Sequence, residues 1–260
     1  MILYIFCPIY ISIDEEDLKK AIRFYIKRLI SDLEVAEIEV RSISDRYVQI
    51  CIEGEDARIA RNYLIKVMGT RFKLGDVVVG GEYNGRVYKT YEDRIYVDIG
   101  LEPPTYVEVK THTLLAKILG TYIPKPAISQ IFRIVGISKN FPIAIKITNK
   151  TEKERIILLD GVLGRRTTAM FRKWLQDRLD RVITYGTLRS RLDKKLRKSG
   201  LYRRIVKVER LGLLEHAIVC KFGQFADEIA QKLTDMDIPK TSIFMPRKIR
   251  KLINYYKNRG

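Results

Sequence analysis

Histidine and cysteine are scarce in this sequence, which leaves little material for metal binding or disulfide bonding. The 260 residues include two histidines and three cysteines. Cys7, Cys51 and Cys220 lie far apart in apolar, strand-like patterns, and no two cysteines have the CxxC spacing. This pattern favours buried thiols over a disulfide framework or a zinc site. We therefore predict no metal site and no other cofactor.

Recognisable catalytic motifs are missing as well. The run 161–166 lacks the lysine and the spacing of a phosphate-binding P-loop, and no GxGxxG follows a strand. His216 stands beside Glu215 in a strand-like pattern, where histidine is usually a structural group. The acidic pair Asp227 and Glu228 stands where a helix N-terminus favours negative charge. We predict neither an enzyme nor a small-molecule substrate, although carboxylates distant in sequence could still form a nuclease site.

Long apolar runs are also missing, and none reaches the length needed to span a bilayer. Residues 1–13 are apolar, but no basic region precedes them and four acidic residues follow directly. We interpret this stretch as a first strand and not as a signal peptide. The protein is therefore predicted to be cytoplasmic. Its heavy use of Ile, Arg, Lys and Glu is typical of a thermophilic source.

Acidic residues are few where basic residues are most abundant. The formal net charge is +18. Residues 165–210 contain 16 Lys and Arg against 4 Asp and Glu, and residues 246–260 contain 6 against none. Residues 1–164 are nearly balanced, with 24 against 22. Helices that are basic only for thermal stability usually carry matching carboxylates, so this distribution indicates a surface that binds a polyanion.

The order of the predicted elements divides the chain into three domains. Residues 1–72 read strand–helix–strand–strand–helix, which is most of a ferredoxin-like split βαβ domain. Residues 73–118 contain short, bent strands with glycines at their corners, which predicts a small β-barrel of the OB type. Residues 119–260 read as a basic α/β domain with a ferredoxin-like half and a basic C-terminal helix. The predicted fold class is α+β, with two ferredoxin-like parts flanking an S1/OB-like barrel.

Two local predictions concern the edges of these domains. The β-branched run 77–79 predicts a strand beside the barrel, which could be the missing last strand of the N-terminal ferredoxin-like part, unless that strand comes from elsewhere in the chain. The apolar stripe formed by Phe171, Trp174, Leu175, Leu179 and Val182 predicts one continuous helix that ends near residue 186.

Part of the barrel segment is similar to a known RNA-binding domain. Gly75, the run Gly85-Arg86-Val87 and the run Val97-Asp98-Ile99-Gly100 have the spacing found at the opening of an S1-type barrel. The similarity covers a short stretch, and the aromatic-rich segment that usually precedes the Val-Asp-Ile-Gly element is absent. It implies that this barrel binds RNA.

Two motifs resemble an archaeal family, domain-of-unknown-function family 2110. One is Gly54-Glu55-Asp56-Ala57 followed by Ala60-Arg61-Asn62-Tyr63-Leu64. The other is Val208-Glu209-Arg210-Leu211-Gly212-Leu213-Leu214-Glu215 followed by Val219-Cys220. The segments between them are also arranged similarly. The resemblance implies an archaeal cytosolic protein and carries over no activity and no catalytic residue.

We interpret the basic surface as an RNA-binding surface, with tyrosines of the barrel adding base stacking. By strand alternation Arg86, Tyr88 and Tyr96 should point outward, where aromatic rings stack unpaired bases and cations hold phosphates. The candidate nucleic-acid-binding residues are Arg165, Arg166, Arg172, Lys173, Arg189, Arg191, Lys194, Lys195, Arg197, Lys198, Arg203, Arg204, Arg247, Lys248, Arg250, Lys251, Arg86, Tyr88 and Tyr96.

The expected partners are ribosomal RNA and ribosomal proteins, because the ribosome is the commonest structured RNA assembly of a cytosol. A factor associated with DNA or the transcription machinery is the alternative, since phosphate contacts read neither RNA nor DNA. An RNA-processing or RNA-modifying enzyme is the third possibility.

Overall fold

Three sheets organise the computed structural model, which describes residues 1–11, 13–153, 156–223, 225–238 and 240–257. The first sheet has three strands, the second is a closed five-stranded barrel and the third has four strands. This arrangement confirms a mixed α+β fold with a central β-barrel. None of the helices in the described ranges is long and apolar enough to cross a membrane.

The N-terminal sheet is antiparallel with the order β1-β3-β2. In chain order its elements are β1 (Ile2–Phe6), α1 (Glu15–Leu29), β2 (Glu37–Ile43), β3 (Tyr47–Glu53) and α2 (Ala57–Met68). Asp14 caps α1 by accepting a hydrogen bond from the backbone N–H of Asp17 at 3.0 Å. On the free side of β1, Ile5 makes a single antiparallel bridge with Thr70.

The barrel closes because β7 pairs with both β8 and β4, giving the order β4-β5-β6-β8-β7. Its elements are β4 (Glu82–Thr90), β5 (Arg94–Asp98), β6 (Tyr106–Lys110), α3 (Thr111–Leu119), α4 (Lys125–Ile134), β7 (Pro142–Lys153) and β8 (Ile156–Leu163). Two of the five strands therefore lie beyond residue 118, outside the range 73–118 in which we predicted the barrel.

The strand predicted at residues 77–79 is wrong. A 3₁₀ turn (Leu74–Asp76) precedes this run, and the run itself forms a loop. Val77 is buried in the barrel core, whereas Val78 and Val79 are exposed. The run therefore anchors the loop through one side chain and joins no sheet.

The glycine in β4 is required by packing, because a Cβ on Gly85 would collide with the carbonyl oxygen of Asp98.

The C-terminal sheet is antiparallel throughout, with the order β10-β11-β9-β12. Its elements, with the preceding helix, are α5 (Arg165–Asp177), β9 (Arg181–Tyr185), α6 (Arg189–Lys198), a 3₁₀ turn (Leu201–Arg204), β10 (Ile205–Arg210), β11 (His216–Cys220), α7 (Ala226–Thr234), β12 (Lys240–Phe244) and α8 (Pro246–Lys257).

The continuous helix predicted to end near residue 186 is also wrong. Helix α5 ends at Asp177, and Arg178 takes a left-handed conformation with φ of 55°. Val182 lies on β9 and not on the helix. The run of residues 181–185 is fully buried and is paired on both sides, by β11 and β12. Sheet pairing and burial therefore override the apparent helical spacing.

The three parts share their cores. One face of the C-terminal sheet, including Ile183, Tyr185 and Ala217, packs into the same core as the barrel interior. The other face, including Val182 and Ile218, packs against α6 and α7. Leu213 and Leu214, which precede β11, pack into the N-terminal core. The segment between β10 and β11 thereby connects the C-terminal part to both neighbours.

Candidate nucleic-acid interface

Helix α6 has an apolar face that packs on the C-terminal sheet and a basic face that points to solvent. Leu192 and Leu196, four positions apart on the helix, are both buried. Four exposed cations on α6 and the following turn have no carboxylate partner among the described residues. We call these four the basic strip: Lys194, Arg197, Lys198 and Arg203. This group combines the positive charge and the exposure that phosphate binding requires.

Other predicted cations of this region hold the fold together. The Arg189 guanidinium pairs with Asp193 at 2.8 Å and donates to the carbonyl of Val208 at 2.7 Å. Lys195 donates to the carbonyls of residues 236 and 237, which follow α7. Arg204 pairs with Glu228 at 2.8 Å, and Arg191 lies 3.5 Å from Asp17 of α1. These side chains attach α6 and its surroundings to neighbouring elements.

The predicted cations of α5 and α8 divide in the same way. Four of them contact neighbouring groups: Arg165 lies 3.7 Å from Glu82, Arg166 donates to the carbonyl of Val67, Arg250 donates to the carbonyl of Leu175 and Lys248 pairs with Asp227. Arg172, Lys173 and Lys251 are exposed and have no carboxylate partner in the described ranges. The predicted basic set is therefore part structural and part available.

Two exposed phenylalanines that we did not predict lie in the loop between β11 and α7. Phe222 is 76% exposed and Phe225 is 64% exposed. The Arg247 guanidinium carbon lies 3.9 Å from the Phe222 ring centroid. Phe225 immediately precedes α7, which begins at Ala226. The signal was present in the sequence as two aromatics beside Lys221 in a glycine-containing loop.

This loop is close to both basic segments of the sequence. The backbone N–H of Lys221 donates to the carbonyl of Arg204, at the end of the turn that carries Arg203. The second basic segment lies near Asp180, which directly precedes β9. Burial raises the pKa of the Asp180 carboxyl, and the positive charges of Arg247 and Lys248 oppose that rise. We call this region the basic end, and it consists of Arg203, Lys221, Phe222, Phe225, Arg247 and Lys248.

Two of the predicted barrel tyrosines lie on its outer face. Tyr88 is exposed and stacks on Tyr106, with ring centroids 4.1 Å apart and an interplanar angle of 10°. The Lys139 ammonium lies 5.9 Å from the Tyr88 ring centroid. Tyr96 is only partly exposed, and its hydroxyl donates to Glu108 at 3.1 Å. Each ring therefore already has a partner within the barrel.

Arg86, in contrast, does not point into solvent as strand alternation predicted. Its side chain is 11% exposed and lies 2.6 Å from the carboxylate of Glu215, which is fully buried. The C-terminal part covers this face of the barrel. Tyr10 donates to the same carboxylate at 2.5 Å and accepts from the backbone N–H of Gly186. The Glu215 cluster (Tyr10, Arg86 and Glu215) thus joins the three parts through buried side chains.

Burial also shifts the pKa of three other groups, His216, Cys7 and Cys220, towards the neutral form. His216 lies in β11, where burial and the nearby Arg210 and Arg189 lower its pKa to about 3. Burial raises the pKa of the Cys7 thiol to about 11 and that of Cys220 to about 12. All three cysteines are buried and unpaired, as predicted. In the described ranges, no three histidine, cysteine or acidic side chains come together in a group that could hold a metal ion.

Three protein-family models match successive segments of the chain. The DUF2110 N-terminal domain matches residues 4–71, the DUF2110 central domain matches residues 77–174 and the DUF2110 C-terminal domain matches residues 179–230. The chain belongs to the DUF2110 family. In this DUF2110 protein the three segments correspond to the N-terminal sheet, the barrel with α5 and most of the C-terminal sheet. Comparison with curated proteins gives no match.

Proposed function

We propose that this DUF2110 protein is a cytoplasmic archaeal RNA-binding protein that associates with ribosomal RNA. The observation that carries the proposal is the basic strip, whose four exposed cations have no carboxylate partner among the described residues. A protein stabilised by surface ion pairs would place carboxylates there. Unpaired, exposed cations on one helix and its following turn instead suit the regular negative charges of a phosphate backbone.

Single-stranded RNA is the ligand that the basic end suits best. Phe222 and Phe225 expose apolar rings that would gain from contact with another planar surface. Unpaired bases offer such surfaces, and the cations beside the rings can hold the adjacent phosphates. Bases in a duplex remain stacked on each other, so the two rings gain little from a duplex.

The domain types of the three parts are a second element of the proposal. We propose that both flanking parts are ferredoxin-like. The antiparallel order β10-β11-β9-β12, with α6 and α7 as its connections, supports this for the C-terminal part. The N-terminal part has three such strands and a single bridge at Thr70 in place of a fourth. We likewise propose that the central barrel is of the S1/OB type.

Replacement of Phe222 and Phe225 by alanine tests the binding mode. We expect each change to weaken binding of single-stranded RNA by roughly 1–3 kcal/mol and to affect duplex RNA much less. Fluorescence anisotropy with a labelled oligonucleotide, in single-stranded and annealed form, measures both affinities. Single-stranded DNA of the same sequence provides the third arm, since preferential DNA binding would favour the alternative function.

Tyr122 supplies a matched control for this experiment. It is 75% exposed, lies in the loop between α3 and α4 and is not part of the basic end. Tyr122→Ala should leave both affinities unchanged. An equal loss in this variant, or normal single-strand binding by a variant with alanine at both phenylalanines, would refute stacking at Phe222 and Phe225.

Association with ribosomal RNA requires a separate test. In an archaeal lysate the protein should co-sediment with ribosomal particles, and RNase treatment should release it, because the proposed contacts are to RNA. Sucrose-gradient fractions probed for the protein give the result. A protein that stays at the top of the gradient before RNase treatment would contradict the ribosomal assignment without affecting RNA binding itself. If the purified protein cleaves or modifies the RNA oligonucleotide of the anisotropy experiment, the alternative of an RNA-processing or RNA-modifying enzyme would be favoured.

A further inference from the structure

A cavity of about 530 Å³ lies where the three parts of the chain meet. Helices α1 and α2 contribute from the N-terminal part, and strands β4 and β7 contribute from the barrel. Helix α5, the end of β10 at Glu209 and Arg210, and residues 211–213 of the following loop complete its wall. Small-molecule sites in proteins often lie at such domain junctions and commonly have volumes of roughly 300–1,000 Å³.

The wall of this cavity is rich in positive charge. Arg86, Arg166, Lys173 and Arg210 line it, and Glu209 is the acidic residue among the described lining residues. That carboxylate is already engaged, because it accepts from Trp174 Nε1 at 3.0 Å and pairs with Lys207 at 2.9 Å. The protein therefore leaves a positive excess inside a concave site.

Three of these cations remain available to a ligand. Arg86 is neutralised by Glu215, but Lys173 has no carboxylate partner in the described part of the chain. Arg166 donates one hydrogen bond, to the carbonyl of Val67, and keeps its charge unpaired within the cavity. Arg210 has no carboxylate partner within 4.0 Å in the described ranges; burial lowers its pKa, with Arg28 and Arg189 acting in the same direction and Tyr25 and Asp193 against it. Accumulated positive charge of this kind is relieved by an anion.

Aromatic side chains form a second part of the wall. Tyr25 from α1 and Trp174 from α5 both line the cavity, and the Arg210 guanidinium carbon lies 4.9 Å from the Tyr25 ring centroid. On α5, the positions 166, 170, 173 and 174 follow helical spacing, so charge and ring lie on one face of the helix. A ligand that fits both features has an anionic group attached to a planar ring system.

We propose that this cavity binds a nucleoside phosphate, with Arg166, Lys173 and Arg210 holding the phosphate. The base lies in the apolar part of the cavity, beside Trp174 and Tyr25. The nucleotide is either free or the phosphorylated end of an RNA strand, and both sources offer the same chemical groups. Because residues from all three parts line the site, the bound nucleotide contacts each of them.

The single tryptophan of the chain provides a direct measurement. Trp174 is the one tryptophan in the sequence and lines the cavity, so its fluorescence should report occupancy. Titration of the full-length protein with AMP should produce a saturable change in emission. Adenosine and inorganic phosphate should each bind more weakly than AMP, since each offers half of the required contacts. Lys173→Gln and Arg210→Gln should each weaken binding about 10-fold or more.

Arg172→Gln is the matched control, because Arg172 is exposed on the same helix and does not line the cavity. It should bind AMP as the unmodified protein does. A short oligonucleotide with a 5′-phosphate distinguishes the sources. Saturation by AMP identifies a free nucleotide, and a response to the oligonucleotide alone identifies an RNA end. No saturable response to either, or unchanged affinity in Lys173→Gln, would overturn the proposal.

This site is independent of the basic end. The Phe222→Ala variant should lose affinity for single-stranded RNA and still show the full fluorescence response to AMP. Loss of the AMP response in that variant would count against a separate nucleotide site. Conversely, failure of the cavity proposal leaves RNA binding by the basic strip and the basic end unaffected.

Discussion

Removal of charge from the basic strip should weaken RNA binding about 100-fold or more at low salt. The variant carries glutamine at Lys194, Arg197, Lys198 and Arg203. Each lost phosphate contact also removes counterion release, worth roughly 0.7 in the slope of log K against log salt for a single strand. Four lost contacts should therefore flatten that slope by about 3. Anisotropy titrations at several salt concentrations measure the affinity and the slope together.

The fold should tolerate these four substitutions. All four side chains are exposed, and none pairs with a carboxylate in the described ranges. Arg197 contacts one aromatic ring, with its guanidinium carbon 4.9 Å from the Tyr202 ring centroid. We leave Lys195 unchanged because it ties α6 to the end of α7. A thermal unfolding curve close to that of the unmodified protein would show that an affinity loss comes from charge removal.

A matched control removes the same charge from the N-terminal part. The control variant carries glutamine at four exposed cations of that part, Lys20, Arg23, Lys27 and Arg58. Glutamine at these positions lowers the net charge equally, so it should produce only the small loss caused by the weaker overall field. If the control weakens binding as much as the basic-strip variant does, then net charge and not a defined surface determines affinity.

The charge distribution could be predicted from sequence, but the availability of each cation could not. Counting residues was sufficient to locate the excess within 165–210 and 246–260. Whether a given side chain is free depends on partners distant in sequence. Lys195, for example, is held by carbonyls 41 and 42 residues away. The two exposed phenylalanines were missed for a related reason, because a helix start and a protruding loop look alike in composition.

Alternation along a strand predicts opposite faces but does not say what covers them. The alternation in β4 correctly gave Tyr88 as exposed, and the same reasoning placed Arg86 in solvent. Arg86 instead contacts Glu215, which lies 129 positions later in the chain. The barrel shows the same limit. Alternation over Tyr83–Val87 and Ile95–Ile99 predicts two of its strands, but closure depends on β7 and β8, which come after two helices.

The helix predicted to reach residue 186 shows how two periodicities can overlap. Apolar residues at 171, 174, 175, 179 and 182 fit helical spacing along their whole length. Val182-Ile183-Thr184 is also a β-branched run, which favours a strand. The chain resolves this conflict at Arg178, where a left-handed residue ends the helix. Long-range pairing of β9 with β11 and β12 decides the outcome, and no local pattern contains that information.

Breaking the buried ion pair of the Glu215 cluster should destabilise the protein more than any surface change. Arg86→Met removes the cation and leaves the Glu215 carboxylate buried beside Tyr10. Removing one partner of a buried pair costs about 3–5 kcal/mol, because the remaining charge loses its compensation. The free energy of unfolding, measured by urea titration, should fall by that amount. The double variant Arg86→Met with Glu215→Gln should recover part of the loss, because it no longer buries an unpaired charge.

Arg94→Met is the comparison for this prediction. Arg94 also lies on a barrel strand and pairs with Glu108 at 3.0 Å, but its side chain is 41% exposed against 11% for Arg86. Its replacement should change stability little, since exposed ion pairs contribute little.

The Arg86→Met variant should bind RNA with unchanged affinity at a temperature where the variant remains folded, because Arg86 lies in a covered interface. A selective loss of RNA affinity in folded Arg86→Met would instead place the RNA contact at the barrel face, as strand alternation first indicated.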